Sequence, residues 1–354
     1  MTRKTNSNQV SSKEAIEFIY KLLISTGVND EIAKLTADGL VHTSLRGVDT
    51  HGMRLLPHYV EGIEGGRINP TPEFSFEQTS DSTGIFDADH TLGYAAGMKA
   101  MQHAIAIAKK AGSGFVSVKN SSHCGALSYY GIEAANNDMI GLGFTHATSR
   151  MMAPGSYEEF FGTNPMCIAA PMQDEEPFCY DSAPTAVPFH KILHHRELDQ
   201  TLPDNVAADV NGNVTTDPHL ATQLLPIGGY KGFGLSMIAD IFSGLLSGMP
   251  VGREVTKMYG DMSEKRRLGQ FFGAISIESF QEVSFFKKRL ALLSKAIRML
   301  PLQSSDSVNY APGDKEKLIV KERLLAGIPL SSPELDKLNN LAEKYNIEKI
   351  IILN

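Results

Sequence analysis

His51 lies in the segment 46–59, whose residue types bind anions and exchange protons. An arginine binds a carboxylate through two parallel hydrogen bonds, and an imidazole exchanges protons near neutral pH. The segment therefore suits a small carboxylate substrate, with His51 as a candidate for proton transfer. Helix capping by Asp49 or Thr50, with the arginines on the surface, explains the same residues about equally well. The candidates for substrate binding here are Arg46, Thr50, Arg54 and Tyr59.

A second histidine, His123, stands between a predicted strand at 114–118 and a predicted helix at 126–135. Proteins that alternate strands and helices place reactive groups at such strand ends. His123 is therefore a candidate general base for a hydroxyl proton, although a histidine that only caps the strand would leave the same pattern. Cys124 is a candidate thiol nucleophile, but consecutive side chains rarely face each other and no orienting Asn or Asp is evident.

A glycine-rich turn at 228–234 contains Lys231 and opens a strongly apolar segment. Free backbone N–H groups at a helix start, together with one lysine, form an anion site that fits a dinucleotide pyrophosphate. Tight packing of the helix alone also explains these glycines. The GxGxxG, GxxxxGK[ST], HExxH, GxSxG and CxxC patterns do not occur, which argues against the common folds that use them. We predict no metal site.

The composition limits the classes of protein that can carry these residues. The chain has 354 residues, of which 42% are hydrophobic and 21% charged, and this length suits two domains. A net charge of -7 argues against nucleic-acid binding. Three cysteines and no signal-peptide pattern predict a cytoplasmic protein. An apolar stretch at 232–252 is just long enough to span a bilayer, but its glycines favour a buried core helix, and we predict no membrane contact.

The elements that must position these residues change in type along the chain. Helical patterns fill the first sixty-odd residues, with caps at Ser11 and Asp30, and they return after Phe280. Between about 85 and 280, short apolar strands alternate with helices, which indicates an α/β fold whose sheet order the sequence does not define. The predicted strands are 114–118, 139–144, 166–170, 178–180 and 271–277. The other predicted helices are 52–63, 126–135, 235–246, one between 285 and 300, and one beginning at Ser332.

Taken in order, the motifs resemble those of the type-2 malate/L-lactate dehydrogenase family of NAD(P)-dependent oxidoreductases. The resemblance extends from about residue 12 to residue 330, and it depends on the joint order and spacing of the motifs. Within the family, the stretches 248–261 and 268–270 look most like the ureidoglycolate dehydrogenases. The matching motifs are RGVDTHG at 46–52, SHCGA at 122–126, GTNP at 162–165, YDSA at 180–183, TTDP at 215–218, GYKGFG at 229–234 and PGD at 312–314.

This resemblance implies a fold and a set of site residues. The family has a non-Rossmann α/β sheet domain that binds the dinucleotide, here expected at 85–280, and a helical domain built from both chain ends, here 1–84 with 281–354. His123 matches a proton acceptor and His51 a proton donor of different family members. The residues that match the family's cofactor contacts are Ala147, Asp181, Ser182, Ala183, Lys231, Gly232, Gly313, Asp314 and Lys315.

The chain departs from the family pattern at four of the candidate positions, one of which is Ser182, where the family usually has Met. Thr50 replaces the usual serine and keeps a hydroxyl group. The arginine that normally follows the histidine by four residues follows it by three, as Arg54, and Leu55 takes the usual place. Ala147 replaces a serine, so a cofactor contact there would use the backbone.

The resemblance implies hydride transfer between a nicotinamide cofactor, NAD or NADP, and the α-carbon of a small 2-hydroxy or 2-oxo acid. Within it, the oxidation of (S)-ureidoglycolate to oxalurate fits best. A malate- or lactate-type dehydrogenase and a diketogulonate-like reductase are the alternatives among oxidoreductases. A metabolite-binding protein without activity and a hydrolase that uses Cys124 are the alternatives from other classes. The family also implies a homodimer or a larger homo-oligomer.

Overall fold

A computed structural model describes residues 8–353. This range forms a mixed α/β fold in which helices pack on a seven-stranded sheet. Its helices are α1 (Ser12–Ser25), α2 (Asp30–Leu45), α3 (Leu56–Glu64), α4 (Gly93–Ala111), α5 (Ser128–Asn136), α6 (Phe189–Glu197), α7 (Tyr230–Asp240), α8 (Val283–Arg298), α9 (Asp314–Ala326) and α10 (Ser332–Lys344). Its strands are β1 (Asn8–Val10), β2 (Ser75–Gln78), β3 (Thr83–Asp87), β4 (Ser113–Ser121), β5 (Met139–Thr145), β6 (Met151–Met152), β7 (Glu159–Phe161), β8 (Met166–Ala170), β9 (Phe178–Ser182), β10 (Ala207–Ala208), β11 (Gln223–Leu224), β12 (Leu268–Ser276) and β13 (Ile328–Leu330).

The large sheet is mostly antiparallel. Its strand order is β2-β3-β4-β12-β5-β8-β9, and only β3 and β4 run parallel. This arrangement differs from the parallel sheet of a Rossmann fold. The strand β12 comes from far along the chain and inserts between β4 and β5. A four-stranded sheet, β10-β11-β6-β7, and the pair β1-β13 complete the strands.

Several strand ends meet along one edge of the large sheet. In the antiparallel pair β4-β12, Ser121 at the end of β4 lies opposite Leu268 at the start of β12. Thr145 at the end of β5 lies opposite Gln270, and β9 also ends on this side, at Ser182. Segments that continue beyond these residues therefore converge. We call this side of the sheet the convergent edge: the ends of β4, β5 and β9 and the start of β12.

The helix α4 packs on β4 and β12 and supports the core below the convergent edge. Its buried face consists mainly of Ala and Gly, and a Cβ atom at Gly97 would lie 2.7 Å from the ring of Tyr130. Such small residues carry little apolar periodicity, which is why our sequence analysis predicted no helix there. Close packing of α4 on the sheet depends on these residues.

The N-terminal helices begin close to their predicted positions. Ser11 caps α1 as predicted, because its side chain accepts a hydrogen bond from the Glu14 N–H at 3.1 Å. The predicted cap of the second helix was wrong: Asn29 caps α2 by accepting from the Ile32 N–H, and Asp30 is the first helical residue. Both residue types cap helices well, so the local pattern does not separate two neighbours.

The predicted helix at 52–63 is shorter than expected. Two 3-10 turns, Asp49–His51 and Met53–Leu55, come before α3. Gly52 between them has an extended backbone, and a Cβ atom there would lie 2.1 Å from Ser44 Oγ. This close approach to α2 breaks the helix and holds the turn that carries His51.

The apolar segment at 232–252 lies at the surface, so the predicted buried core helix was wrong. A π-helical turn, Ile241–Leu245, follows α7. The buried residues of α7 are Gly232, Ser236, Ala239 and Asp240. Large apolar side chains point outward; Tyr230 is 73% and Leu245 61% exposed. The segment is apolar on all sides, so its pattern does not reveal the inner face. Between residues 8 and 353, no helix has both the length and the apolar character to cross a bilayer.

The first strand of the described range lies against its C-terminal part. Val10 of β1 pairs with Ile328 of β13, and α10 contacts α3. The strand β2, which belongs to the large sheet, falls within 1–84. The division into a helical part, 1–84 with 281–354, and an α/β part at 85–280 stays a prediction.

Candidate functional site

The two candidate histidines lie side by side at the convergent edge. His51 belongs to the turn between α2 and α3, and His123 follows β4. Their ring centroids are 5.4 Å apart, and both side chains are partly buried. The structure thus brings two imidazoles together that are distant in sequence.

The Nδ1 atom of His123 is occupied by protein groups. The Tyr59 hydroxyl lies 2.9 Å from this atom, and the Gly125 N–H donates to it at 3.4 Å. The hydroxyl can accept from a protonated Nδ1 or donate to a bare one, and this choice decides whether Nε2 accepts or donates a proton. Nε2 is therefore the atom of His123 suited to exchange a proton with a ligand.

The environment of His123 keeps its imidazole neutral near pH 7. Burial lowers its pKa well below 6.5, and the charges of His51, Arg266 and His58 lower it further. A neutral imidazole can accept a proton at once. The tyrosine that contacts it, Tyr59, is fully buried and is fixed in α3.

His51 is oriented by two hydroxyl groups. Thr50 Oγ1 lies 2.8 Å from its Nδ1, and the Tyr94 hydroxyl donates to its backbone carbonyl at 2.7 Å. Thr43 Oγ1 in turn lies 2.8 Å from Tyr94 Oη. Burial, followed by the charge of His190, lowers the pKa of His51 to about 4. Thr50 thus contacts the histidine ring directly. Tyr94 is a residue of this site that the sequence did not reveal.

Arg54 is engaged by two carboxylates. Its Nε lies 2.9 Å from Glu334 Oε1, and its Nη2 lies 3.8 Å from Asp49 Oδ2. Asp49 also binds Arg323, with 2.9 Å between Arg323 Nη2 and Asp49 Oδ2. Neither Asp49 nor Thr50 caps the turn by a side-chain hydrogen bond. The alternative of helix capping is therefore wrong. Arg54 links the turn before α3 to α10 through its ion pair with Glu334.

Arg46 ends α2 as a buried residue, so it is not the surface arginine of the alternative interpretation. Its Nη1 lies 3.7 Å from Glu176 Oε2. Its charge also opposes the rise that burial causes in the pKa of Asp181. Arg46 thus faces the β9 side of the convergent edge. Within the described residues, it forms no hydrogen bond to His51 or His123.

Arg266 is a site residue that the sequence analysis missed. It lies two residues before β12 and is only 4% exposed. Its Nη2 donates to Thr148 Oγ1 at 3.3 Å, and Thr148 follows the end of β5. The sequence shows only two adjacent arginines before a strand, which is a common surface pattern. Only the pairing of β12 with β4 reveals that Arg266 lies at the same edge as His123.

Four of the expected cofactor residues lie at or just beyond strand ends of the convergent edge. Asp181 Oδ2 in β9 accepts the Ser128 N–H at 2.7 Å and so caps α5. Ala147 follows β5, and its N–H donates to Asn164 Oδ1 at 3.1 Å. Ser182 ends β9, and Ala183 follows it. These residues lie along the same edge as the histidine pair.

Two further helices begin beside β9. A Cβ atom at Gly232 in α7 would lie 2.8 Å from the Pro184 carbonyl oxygen. A Cβ atom at Gly313, which has φ +92° and caps α9, would lie 3.0 Å from the Cys179 carbonyl oxygen. Only glycine permits both approaches without displacement. The starts of α5, α7 and α9 therefore gather around β9.

The charged residues near these helix starts have different roles. Lys231 is exposed and forms no ion pair within residues 8–353, and the exposed Lys315 ammonium lies 5.2 Å from the centre of the Tyr310 ring. Asp314 instead binds Arg298, with 2.7 Å between Asp314 Oδ1 and Arg298 Nη2. Helix N-termini and lysines attract phosphate groups. The residues around β9 thus fit a dinucleotide. The Asp314 side chain, by contrast, holds α9 against α8 through Arg298.

Cys124 is not suited to act as a nucleophile. Its side chain is 2% exposed, and burial raises the pKa of its thiol to about 12. The thiolate is the reactive form, and it is scarce at neutral pH when the pKa is so high. These properties argue against a hydrolase that uses Cys124.

Because several histidines are buried in the fold, we predict that acid lowers its free energy of unfolding. Burial lowers the pKa of His42 to about 3 and is the main cause that lowers those of His51 and His58 to about 4. The unfolded chain binds these protons near pH 6.5, so their contribution to stability is complete above that pH and is lost as the pH falls toward 4.

We expect the free energy of unfolding, measured with urea, to fall between pH 6.5 and pH 4. The variant His42→Gln should show a weaker dependence, and the matched variant of an exposed residue, His194→Gln, should behave as the wild type. A free energy of unfolding that stays constant over this range would contradict the prediction.

The arrangement agrees with comparisons to known proteins. A model of the malate/L-lactate dehydrogenase family matches residues 10–339. The chain is 34% identical over 354 residues to the malate dehydrogenase of Pyrococcus horikoshii, with 97% of each chain covered. It is 32% identical over 322 residues to ureidoglycolate dehydrogenase (NAD(+)) of Escherichia coli O157:H7, covering 91% of this chain and 92% of the relative. The crystal structure of malate dehydrogenase from Entamoeba histolytica matches with a TM-score of 0.92 at 30% identity, covering 97% of this chain and 99% of the other.

Proposed function

Since the chain belongs to the malate/L-lactate dehydrogenase family, we propose that it oxidises a small 2-hydroxy acid with NAD as the hydride acceptor. The observation that supports this most is the pair of neutral histidines at the edge where the expected cofactor residues also lie. His123 Nε2 has no hydrogen-bond partner between residues 8 and 353, and the His51 ring lies 5.4 Å from the His123 ring, measured between centroids.

We assign the proton step to His123. The step uses the tautomer that carries its proton on Nδ1: Nε2 takes the proton of the substrate hydroxyl, and Nδ1 donates to the Tyr59 hydroxyl instead of accepting from the Gly125 N–H 3.4 Å away. The contact to Tyr59 orients the ring and stabilises the imidazolium. A bound nicotinamide ring supplies the acceptor for the hydride that leaves the α-carbon. The neighbouring His51, fixed by Thr50, donates a hydrogen bond to the same substrate oxygen.

The proposed cofactor site lies around β9. Lys231 and Lys315 would bind the phosphates together with the starts of α7 and α9, and the Ala147 and Ala183 backbones would line the site. The name of the E. coli relative, which specifies NAD(+), supports NAD as the cofactor. The free, buried cysteines Cys167 and Cys179, whose sulfur atoms are 3.8 Å apart, support a reducing compartment such as the cytoplasm.

We propose (S)-ureidoglycolate, oxidised to oxalurate, as the substrate, and the E. coli relative supports this choice. Malate is the second candidate, since the Pyrococcus relative and the Entamoeba structure are both malate dehydrogenases. The test is absorbance at 340 nm with NAD or NADP and a panel of ureidoglycolate, malate, lactate and sulfolactate, and with NADH and 2-oxo acids including diketogulonate. Fastest turnover with ureidoglycolate supports the first candidate; fastest turnover with malate supports the second. No turnover with any member would contradict the proposed function.

The hydroxyl of Tyr59 should affect the rate more than binding. The variant Tyr59→Phe loses the contact to His123 Nδ1 but keeps the ring, so we expect kcat to fall roughly 10-fold to 100-fold, as for other groups that orient a reactive histidine. The substrate KM should change little. Steady-state kinetics at 340 nm measure both constants. A variant with a wild-type kcat would show that Tyr59 does not position His123.

We also propose that the chain forms a homodimer or a larger homo-oligomer. Along α7 and the π-helical turn, Tyr230, Met237, Ile238, Leu245 and Leu246 are 42% to 73% exposed. A continuous apolar face of this kind is typical of a surface that another subunit covers. Light scattering coupled to gel filtration measures the mass, and a monomer at micromolar concentration would contradict the proposal.

A further inference from the structure

Arg266 is a buried cation without a counter-charge. It is 4% exposed, and none of the Asp and Glu residues between 8 and 353 forms an ion pair with it. Its only hydrogen bond within that range goes from Nη2 to Thr148, and its buried Nε has no acceptor. A buried charge is costly unless it is paired. The side chain is therefore arranged for an anion that is not part of the described chain.

The strand register places Arg266 beside the histidine pair. Leu268 and Ser121 face each other in the antiparallel strands β12 and β4. Arg266 lies two residues before Leu268, and His123 lies two residues after Ser121. Because the strands are antiparallel, the chain before the start of β12 and the chain after the end of β4 lie at the same edge of the sheet. Both residues therefore leave adjacent strands on the same side.

A second buried nitrogen without a partner lies in the same surroundings. His58 Nδ1 finds no hydrogen-bond partner among the described residues, and the His58 ring lies 5.1 Å from that of Tyr259 and 6.2 Å from that of Tyr59. The guanidinium of Arg266 helps to lower the pKa of both His58 and His123, after burial, so it lies near both rings. Two unpartnered nitrogens near Tyr59 indicate a missing polar ligand group.

We propose that Arg266 binds the carboxylate of the substrate, which rests on the proposed 2-hydroxy acid dehydrogenase function. The carboxylate is bonded to the carbon whose hydroxyl meets His123, so the arginine that binds it must lie close to that histidine. Arg54, the arginine expected there from the sequence, is held by Glu334 and Asp49. Apart from the contact of Nη2 to Thr148, the donors of Arg266 have no partner among the described residues, and a guanidinium can bind a carboxylate through two parallel hydrogen bonds.

The test compares the variants Arg266→Met, Arg266→Lys and Arg267→Gln. The probe is oxamate, an analogue of a 2-oxo acid in which an amide carbonyl lies beside the carboxylate. It is titrated by calorimetry into enzyme saturated with NADH. We expect Arg266→Met to weaken oxamate binding by roughly 10²-fold or more, since one partner of a buried charged contact is removed. Arg266→Lys should weaken it by about 10-fold, because an ammonium cannot form the two parallel bonds. The exposed neighbour Arg267 should be dispensable.

The outcomes separate this proposal from the proposed function. Wild-type oxamate affinity in Arg266→Met would overturn the role of Arg266, whether or not the wild type is active. If Arg266→Met does not fold, as judged by circular dichroism, the lysine variant decides, and an unchanged affinity there would overturn the role. A raised substrate KM with unchanged NADH affinity in either variant supports it. If the wild type turns over no hydroxy acid but binds oxamate, and the Arg266 variants lose that binding, only the proposed function is contradicted.

Discussion

Replacing His123 by asparagine is expected to lower kcat by roughly 10²-fold to 10⁴-fold, the usual contribution of a positioned acid–base group. Asparagine keeps a polar side chain but cannot take the hydroxyl proton. The pKa of His123 lies well below 6.5, so the wild type should keep its full base activity from pH 8 down to pH 6.5 and lose it only in more acidic solution. Turnover at 340 nm over this pH range measures both effects.

The control for this prediction is a histidine outside the site. His103 lies in α4 and stacks on Phe76, with ring centroids 3.9 Å apart. The variant His103→Asn removes a partly buried imidazole outside the site, and we expect its kcat to match the wild type. NADH binding, followed by fluorescence, should be retained in His123→Asn. A His123→Asn enzyme with near-normal turnover would remove His123 from the proton step.

Replacing Gly125 by alanine is expected to damage both stability and activity. Gly125 has φ +65°, and a Cβ atom there would lie 1.8 Å from Tyr94 Oη. The left-handed backbone costs an alanine about 1–2 kcal/mol, and overpacking costs about 1–3 kcal/mol more. Tyr94 holds the carbonyl of His51, and the Gly125 N–H contacts His123. We therefore expect a loss of about 3 kcal/mol in the free energy of unfolding and a clear fall in kcat.

Gly27 offers a matched control for the backbone effect alone. It has φ +87°, and a Cβ atom there would have nothing within 4 Å. The variant Gly27→Ala should lose only about 1–2 kcal/mol and keep its kcat. Urea unfolding and turnover at 340 nm compare the two variants. Equal losses of stability in both would mean that Tyr94 does not restrict position 125.

The local signals of the sequence predicted much of what is local in the structure. The strand at 166–170 has the predicted bounds, those at 114–118 and 139–144 were placed within a few residues, and Ser11 caps its helix. Hydrophobic alternation and capping act over a few residues, so they can be read without the fold. The two histidines stood out for the same reason, since each lies in a motif of its own.

Properties that depend on distant residues were not predictable in this way. The role of Arg54 changed because Glu334, from the other end of the chain, pairs with it. Arg266 was missed because its proximity to His123 arises from the insertion of β12 between β4 and β5. The inner face of α7 was misjudged because the segment is apolar on all sides. Strand register and ion pairing across the fold decide these features, and neither leaves a local pattern.

The transfer of the hydrogen at the substrate's α-carbon tests the central claim most directly. A 2-hydroxy acid that the enzyme turns over is prepared with deuterium at C2 and incubated with NAD, and the nicotinamide product is analysed by NMR spectroscopy. We predict that the deuterium appears at C4 of the reduced nicotinamide in the wild type and that His123→Asn slows its appearance by at least about 10²-fold. Deuterium released into water, with none in the nicotinamide, would contradict hydride transfer at this site.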